Sequence, residues 1–187
     1  GRERLDGLVE VDEAYVGGAT DEGKPGRGSE KKAIVAIAAE EDGAGIGRVR
    51  LRVVSDVSAR GLHRFIEETV TPGAVVHTDG WQGYTGLEGR GYRHRVTNLS
   101  RSDQLAHELM PRVHRVASLL KRWLLGTHQG AVSTTHLNYY LDEFTFRFNR
   151  RRSRSRGLLF YRLAQQAVAV DPAPYRSLLS GQAGELE

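Results

Sequence analysis

"LDGLVEVDEAYVGG", residues 5–18, is the stretch that decides the architecture. Leu8, Glu10 and Asp12 fall on one side of an extended chain, and Val9 and Val11 on the other. That period of two reads as a β-strand, ended by Gly17 and Gly18. An acid in mid-strand gains little unless it meets a cation, so Asp12 stands out. Glu10, on the same side, is read as facing solvent.

Working outward, "ATDEGKPGRGSE" (19–30) is polar and glycine-rich and reads as a loop. "KKAIVAIAAE" (31–40) is a continuous apolar run, as in a buried strand, and "RVRLRVVSD" (48–56) is a strand with alternating arginines. Ser58 is placed to cap a helix, "ARGLHRFIEETV" (59–70). "AVVHTDG" (74–80) is a short apolar strand ending in an acid, "WQGYTGLEGRG" a turn, and "YRHRVTN" (92–98) alternates again.

From about residue 111 the period changes. "RVHRVASLLKRWLL" puts Val113, Val116, Leu120 and Trp123/Leu124 on one helical stripe, with Gly126 as its C-cap. "STTHLNYYLDEFTFRFNRR" offers Ser133, Thr134 or Thr135 as an N-cap. The alternating Phe144, Phe146 and Phe148 look strand-like, but Leu137, Leu141, Phe144 and Phe148 share one helix stripe, which favours a helix. "GLLFYRLAQQAV" (157–168) is a further helix. The order is three strands, a helix, two strands and then helices. It predicts an α/β fold, a sheet with helices packed around it and a helical C-terminal part.

The 187 residues suffice for one domain with a sizeable core. No apolar run approaches the ~20 residues of a membrane span, and no signal-peptide pattern opens the chain. There is no cysteine, which excludes disulfides and thiolate zinc sites and suits a cytoplasmic location. The net charge is +4 but unevenly spread. Residues 111–156 hold ten Lys and Arg against two acids; the rest holds 17 against 21. A basic block of that kind suits a polyanion, nucleic acid first, unless it is merely a solvated face.

Asp79 follows "AVVHT" at the carboxyl end of its strand, where open α/β sheets place their sites. Asp-Gly is also a common turn dipeptide. Two carboxylates on neighbouring strand ends can share hard cations such as Mg²⁺ or Mn²⁺. A pair of such ions activates water and stabilises the leaving oxygen in phosphodiester cleavage.

"VEVDEAYVGG", "HTDGWQGYTGL", "GYRHRVTN", "LLKRWLLGTHQGAV" and "HLNYYLDEFTFRFNRR" together resemble the transposase domain of the IS1595 (ISXO2-like) insertion-sequence family, in order and at fitting intervals, from about residue 8 to 152. The resemblance implies an RNase H-like mixed sheet and a DDE-type, metal-dependent transposase. It implies cleavage at element ends and joining of the freed 3′-hydroxyl to a target duplex. It makes Asp12 and Asp79 the first two ligands of a two-metal Mg²⁺ or Mn²⁺ site. It also implies a homo-oligomer on DNA, in a bacterial or archaeal cytoplasm near the nucleoid.

The sequence departs from a plain DDE pattern at the third ligand. "MPRVHRVASLLK" has no acid; His114 stands 35 residues after Asp79 and seven before Lys121. Seven residues put both on one helix face. Neutral imidazole can bind Mn²⁺, so His114 is expected as third ligand, with Lys121 holding a phosphate. The family also shows a Glu with Arg four and seven residues on, matched by Glu143, Arg147 and Arg150. Glu143 is expected to hold Arg147 near the scissile phosphate, or to be the third ligand itself. Arg122, Arg151, Arg152 and Arg154 are expected on DNA backbone, and Trp81 and Tyr84 either on a frayed base or in the core.

The expected catalytic domain is residues 1–170, with 171–187 a tail. The chain starts at Gly1 and enters a dense motif by residue 10. A preceding part is therefore expected, such as the family's zinc-ribbon and DNA-end-binding region. Two other readings are a stand-alone RNase H-like nuclease and an inactive, DNA-binding remnant.

Overall fold

The structure is a computed structural model, and it describes residues 3–17, 32–97, 106–128 and 134–171. Expectations on residues 19–30, on Ser133 and on most of the tail lie outside these. The chain divides into two compact units, 1–149 and 150–187.

The first unit opens with three strands, β1 (Leu8–Val16), β2 (Ala33–Asp42) and β3 (Gly45–Val54). Helix α1 (Ala59–Thr69) follows, then β4 (Val75–Thr78), two 3-10 turns (Gln82–Tyr84 and Glu88–Arg90) and β5 (Arg93–Val96). A short α2 (Ala106–Leu109), a long α3 (Pro111–His128) and α4 (Leu137–Asn149) complete it. Among the described residues the strands form one mixed sheet in the order β3-β2-β1-β4-β5. β1, β2 and β3 pair antiparallel; β1, β4 and β5 pair parallel. This is a mixed α/β sheet flanked by helices, as the element order predicted.

The period of two in β1 sorts its side chains between two cores. Val9 and Val11 join Ala36, Ala38 and Val76 against Leu62, Phe65 and Ile66 of α1. On the other face Val35, Ile37, Ala39 and Val49 meet Val113, Val116, Leu120 and Leu124 of α3 and Leu137, Leu141, Phe144 and Phe148 of α4. The helix stripe read from residues 137–148 is thus a buried face, and the alternating phenylalanines belong to a helix. Ser58 accepts from the Gly61 amide at the start of α1. Gly126 is not a C-cap: α3 runs on to His128. A mid-helix glycine costs only about 1 kcal/mol, and a Cβ there would meet nothing.

The second unit contains α5 (Arg156–Val168), on which Leu158, Phe160, Tyr161 and Leu163 are exposed. No described helix is long and apolar enough to cross a membrane.

Candidate active site

β1 and β4 run parallel, with Leu8 beside Val75 and Glu10 beside His77. The same register carried two residues further sets Asp12 level with Asp79. β4 stops at Thr78, and Gly80 turns the chain at φ +86°. Asp79 Oδ1 accepts the Trp81 amide at 2.9 Å. The residue therefore does make an Asp-Gly turn, and the turn also fixes its carboxylate at the strand end beside Asp12.

What covers Asp12 is set by its neighbour Glu10. Glu10 does not face solvent; it is 1% exposed. Its Oε2 accepts the amides of Arg112 and Val113 at 2.8 and 2.9 Å, and its Oε1 accepts Arg112 Nη1 at 2.9 Å. A carboxylate from β1 thus satisfies two of the orphan amides at the start of α3, where negative charge suits the helix dipole. Pro111 occupies the first helical position, where its missing N–H costs nothing. Arg112 is also held by the Gly43 and Gly45 carbonyls and by Glu41. This clamp sits less than one turn before His114 and brings its Nδ1 to 3.8 Å from Asp12 Oδ2.

Asp12 is pushed above the usual carboxylate range. Burial is the main cause, and Asp79 adds to it; the Glu13 amide, His114 and Lys121 oppose it. Asp79, His114 and Lys121 are therefore each within electrostatic reach of Asp12. Lys121 is exposed two turns beyond His114. Two ligands of one small cation, each at about 2.1 Å, lie about 3 Å apart at right angles and about 4 Å apart when opposite. The 3.8 Å between Asp12 and His114 falls inside that span. His114 Nε2 is buried and has no hydrogen-bond partner. Among the described residues no three acids or histidines are already drawn together as a metal cage. The donor set of two hard carboxylates and an imidazole nevertheless suits a divalent cation that draws its ligands in.

The other face of β1 holds a group that sequence reasoning missed. Glu13 Oε1 accepts the Tyr84 hydroxyl at 2.5 Å. Burial pushes the Glu13 carboxyl up to about 7, with Asp12 and Asp79 adding to the rise and the Tyr84 hydrogen bond opposing it. Tyr84 is fully buried in the α1 core. Of the two readings left open for Tyr84, a frayed base or the core, the structure takes the core; the ring has no open face for a base. Trp81 differs. It is 48% exposed, with its indole Nε1 bonded to the Val57 carbonyl at 2.9 Å. The one signal for Glu13 was an acid on the apolar side of the strand.

Glu143 pairs with Arg147 at 2.8 Å, one turn apart on the exposed side of α4. That helix packs on β3: Asn138 accepts the Val53 amide, and Asn149 accepts the Val49 amide and donates to its carbonyl. β3 is the edge strand two removed from β1, and Glu143 is not among the main charges acting on Asp12. Helix α4 ends at Asn149, so Arg150 sits in the following turn rather than on the helix face with Glu143 and Arg147. Arg150, Arg151, Arg152 and Arg154 belong to the second unit; Arg151, Arg152 and Arg154 are exposed there, as is Arg122 on α3. Arg112, counted in the basic block, is taken up by Glu10 and Glu41.

A family model described as the ISXO2-like transposase domain matches residues 4–149. No curated protein matches the chain. A chain in the crystal structure of the Mos1 strand transfer complex aligns at 16% identity and a TM-score of 0.32, covering 79% of this chain and 53% of that one. The alignment thus spans about half of that neighbour, a likeness too slight to bear further argument.

Proposed function

Because the chain belongs to the ISXO2-like transposase domain family, we propose that residues 1–170 are the catalytic domain of a DDE-type transposase that cuts DNA at element ends and joins them to target DNA. One observation carries this reading: Asp79, just past the end of β4, stands level with Asp12 in the adjacent parallel β1, under a helix that brings His114 to Asp12.

Asp12 and Asp79 would hold the divalent cations, Mg²⁺ or Mn²⁺, with His114 as the third donor. Such ions supply the charge that generates a hydroxide-like nucleophile at neutral pH and stabilises the leaving oxygen. The 3.8 Å approach of His114 to Asp12 supports His114 in that role over Glu143, whose partner is Arg147. In the first step a water oxygen bonds to phosphorus and loses a proton to solvent, and the bond to the 3′ oxygen breaks, that oxygen taking up a proton as it leaves. The freed 3′-hydroxyl then attacks a target phosphorus and displaces that strand's 3′ oxygen, so one phosphodiester replaces another.

Lys121, exposed on the helix face above Asp12, would hold a non-bridging phosphate oxygen as a point charge. Arg122, Arg147, Arg150, Arg151, Arg152 and Arg154 would contact backbone phosphates, which give affinity without sequence readout. Assembly as a homo-oligomer on paired DNA ends belongs to the same proposal, as does the nucleoid setting.

The test is a cleavage and strand-transfer assay on DNA carrying element ends, with Mg²⁺ or Mn²⁺, in the chain and its Asp79→Asn variant. Cutting and joining that both vanish in the variant support the proposal. Metal-dependent cutting without joining would mean a stand-alone nuclease; DNA binding without cutting would mean an inactive remnant.

A further inference from the structure

β1 runs antiparallel to β2 and β2 to β3, so β1, β3 and β4 all end along one edge of the sheet. Asp79, just past the end of β4, lies on that edge, with Asp12 beside it in the middle of β1. So does a cleft of about 520 Å³ on the α1 side, separate from the carboxylate pair. It is lined by the end of β3, the loop through Ser55, Asp56 and Ser58, and the first two turns of α1. Its charged lining is Arg52, Arg60 and Arg64 against Asp56.

Two contacts tie this cleft to the turn after Asp79. The Trp81 indole donates to the Val57 carbonyl from within the lining loop. Gly83 passes so close that a Cβ there would stand 2.6 Å from the same carbonyl. Only glycine allows that approach, and it leaves Trp81 fixed at one edge yet 48% exposed. A large aromatic so held, between two carboxylates and a basic cleft, is unexplained by packing.

We propose that the cleft and Trp81 form a subsite for a single, unpaired DNA strand leaving the carboxylate pair: Arg60 and Arg64 take successive phosphates and Trp81 stacks on a base. The proposal rests on the reading of DNA as substrate. Volume favours one strand, since a cavity of this size is that of a small-molecule site and admits a nucleotide or two. Trp81 points the same way. Bases in a duplex stack on each other, and an open indole needs an unpaired one. Glu68 already binds Arg52 and, at 2.9 Å, Arg64 Nε. A guanidinium has five donors, so one carboxylate does not exhaust it. The amides opening α1 are not needed, because Ser58 engages the Gly61 amide.

The test measures binding by fluorescence anisotropy, using the full chain and two probes: a blunt duplex, and the same duplex with a five-nucleotide single-stranded overhang. The expected result is tighter binding of the overhang probe. Arg60→Ala/Arg64→Ala should weaken that probe about tenfold and flatten its log–log salt dependence by about 1.4, the contribution of two single-strand phosphates. Trp81→Ala should weaken it similarly, and Trp81→Phe, which keeps a stacking face, should restore most of the loss. Blunt-duplex binding should change less than twofold. Equal weakening of both probes, or no weakening of either, overturns the subsite. If metal-dependent cutting and joining persist while the overhang preference is absent, the subsite alone falls. Loss of all DNA binding and cutting in the unaltered chain would sink the transposase reading with it.

Discussion

Glu10 and Asp12 sit two residues apart, on the same side of the same strand, under the same helix. Glu10 is saturated: a guanidinium and two amides fill its oxygens, and it is closed from water. Asp12 is burdened by burial and by a second carboxylate, and the imidazole nearest it stands at 3.8 Å. A buried acid whose hydrogen bonds are complete is a structural fastener. One disfavoured by burial and a like charge is the kind that functional sites use, and such sites tend to cost the fold stability. The two acids should therefore fail in opposite ways.

The largest effect is expected at Asp12. Asp12→Asn should lower cleavage by roughly 10³-fold or more, the scale of losing metal-borne charge stabilisation worth several kcal/mol. Thermal stability of the metal-free chain should hold or rise, because the change removes a charge that burial and Asp79 disfavour. A variant that unfolds would make Asp12 a fastener too, and the contrast would collapse.

Glu10→Ala comes next, and its damage is to the fold. It strips the partner from Arg112 and uncaps α3, and breaking a buried ion pair from one side costs about 3–5 kcal/mol. At about 2–4 °C per kcal/mol for a domain of this size, the melting point should drop by roughly 6–20 °C. Cleavage, measured well below the new midpoint, should suffer less than in Asp12→Asn. A melting point within about 2 °C of the parent would mean the clamp does not hold α3.

Glu13, on the opposite face, sharpens the comparison through pH. Its carboxyl titrates near 7 in the fold and near 4.5 when unfolded. The folded chain thus holds the proton more tightly. The stabilisation is fully present below about 4.5 and is lost as pH rises through about 7. It is worth at most roughly 3 kcal/mol. Buried His63, His77 and His94 are shifted down, chiefly by burial, and act with the opposite sign, giving stability above the ordinary histidine range that is lost on acidification. Comparing Glu13→Gln with the parent isolates the glutamate, since the amide oxygen can still accept from Tyr84. Urea midpoints at pH 5 and pH 8, without metal, should differ less in the direction of alkaline destabilisation for the variant. Identical pH slopes would place the titration elsewhere.

The sequence carried the sheet because alternation specifies which residues share a face. It singled out Asp12 and Asp79 as candidates because an acid in mid-strand and an acid at a strand end are local facts. It misread Glu10 because alternation gives the face but not its cover; Arg112 arrives from 102 residues away. Tyr84 was left open between base and core for the same reason, since its burial depends on α1 and its hydroxyl on Glu13. Gly126 read as a stop because glycine ends helices often, yet the stripe through Leu120 and Leu124 outweighs its cost. Arg150 follows Glu143 by seven residues, a helical spacing, but the helix ends one residue before it.

The smallest effect tests whether the site reaches α4 at all. Glu143 and Arg147 form an exposed pair one helical turn apart, worth about 0.3–0.5 kcal/mol. Glu143→Gln should therefore move the melting point by no more than about 2 °C. If Glu143 serves only to orient Arg147 toward a phosphate, Mn²⁺ affinity by calorimetry should be unchanged and strand transfer should slow several-fold. His114→Ala should instead weaken Mn²⁺ binding and end cleavage with the fold intact, and His114→Glu should restore activity with a shift toward Mg²⁺, the harder ion for a harder ligand. The opposite pattern, metal lost in Glu143→Gln and kept in His114→Ala, would make Glu143 the third ligand. It would then require α4 to move from β3 toward β1 when metal and DNA bind, because the present pairing holds that carboxylate on Arg147, over the far edge of the sheet.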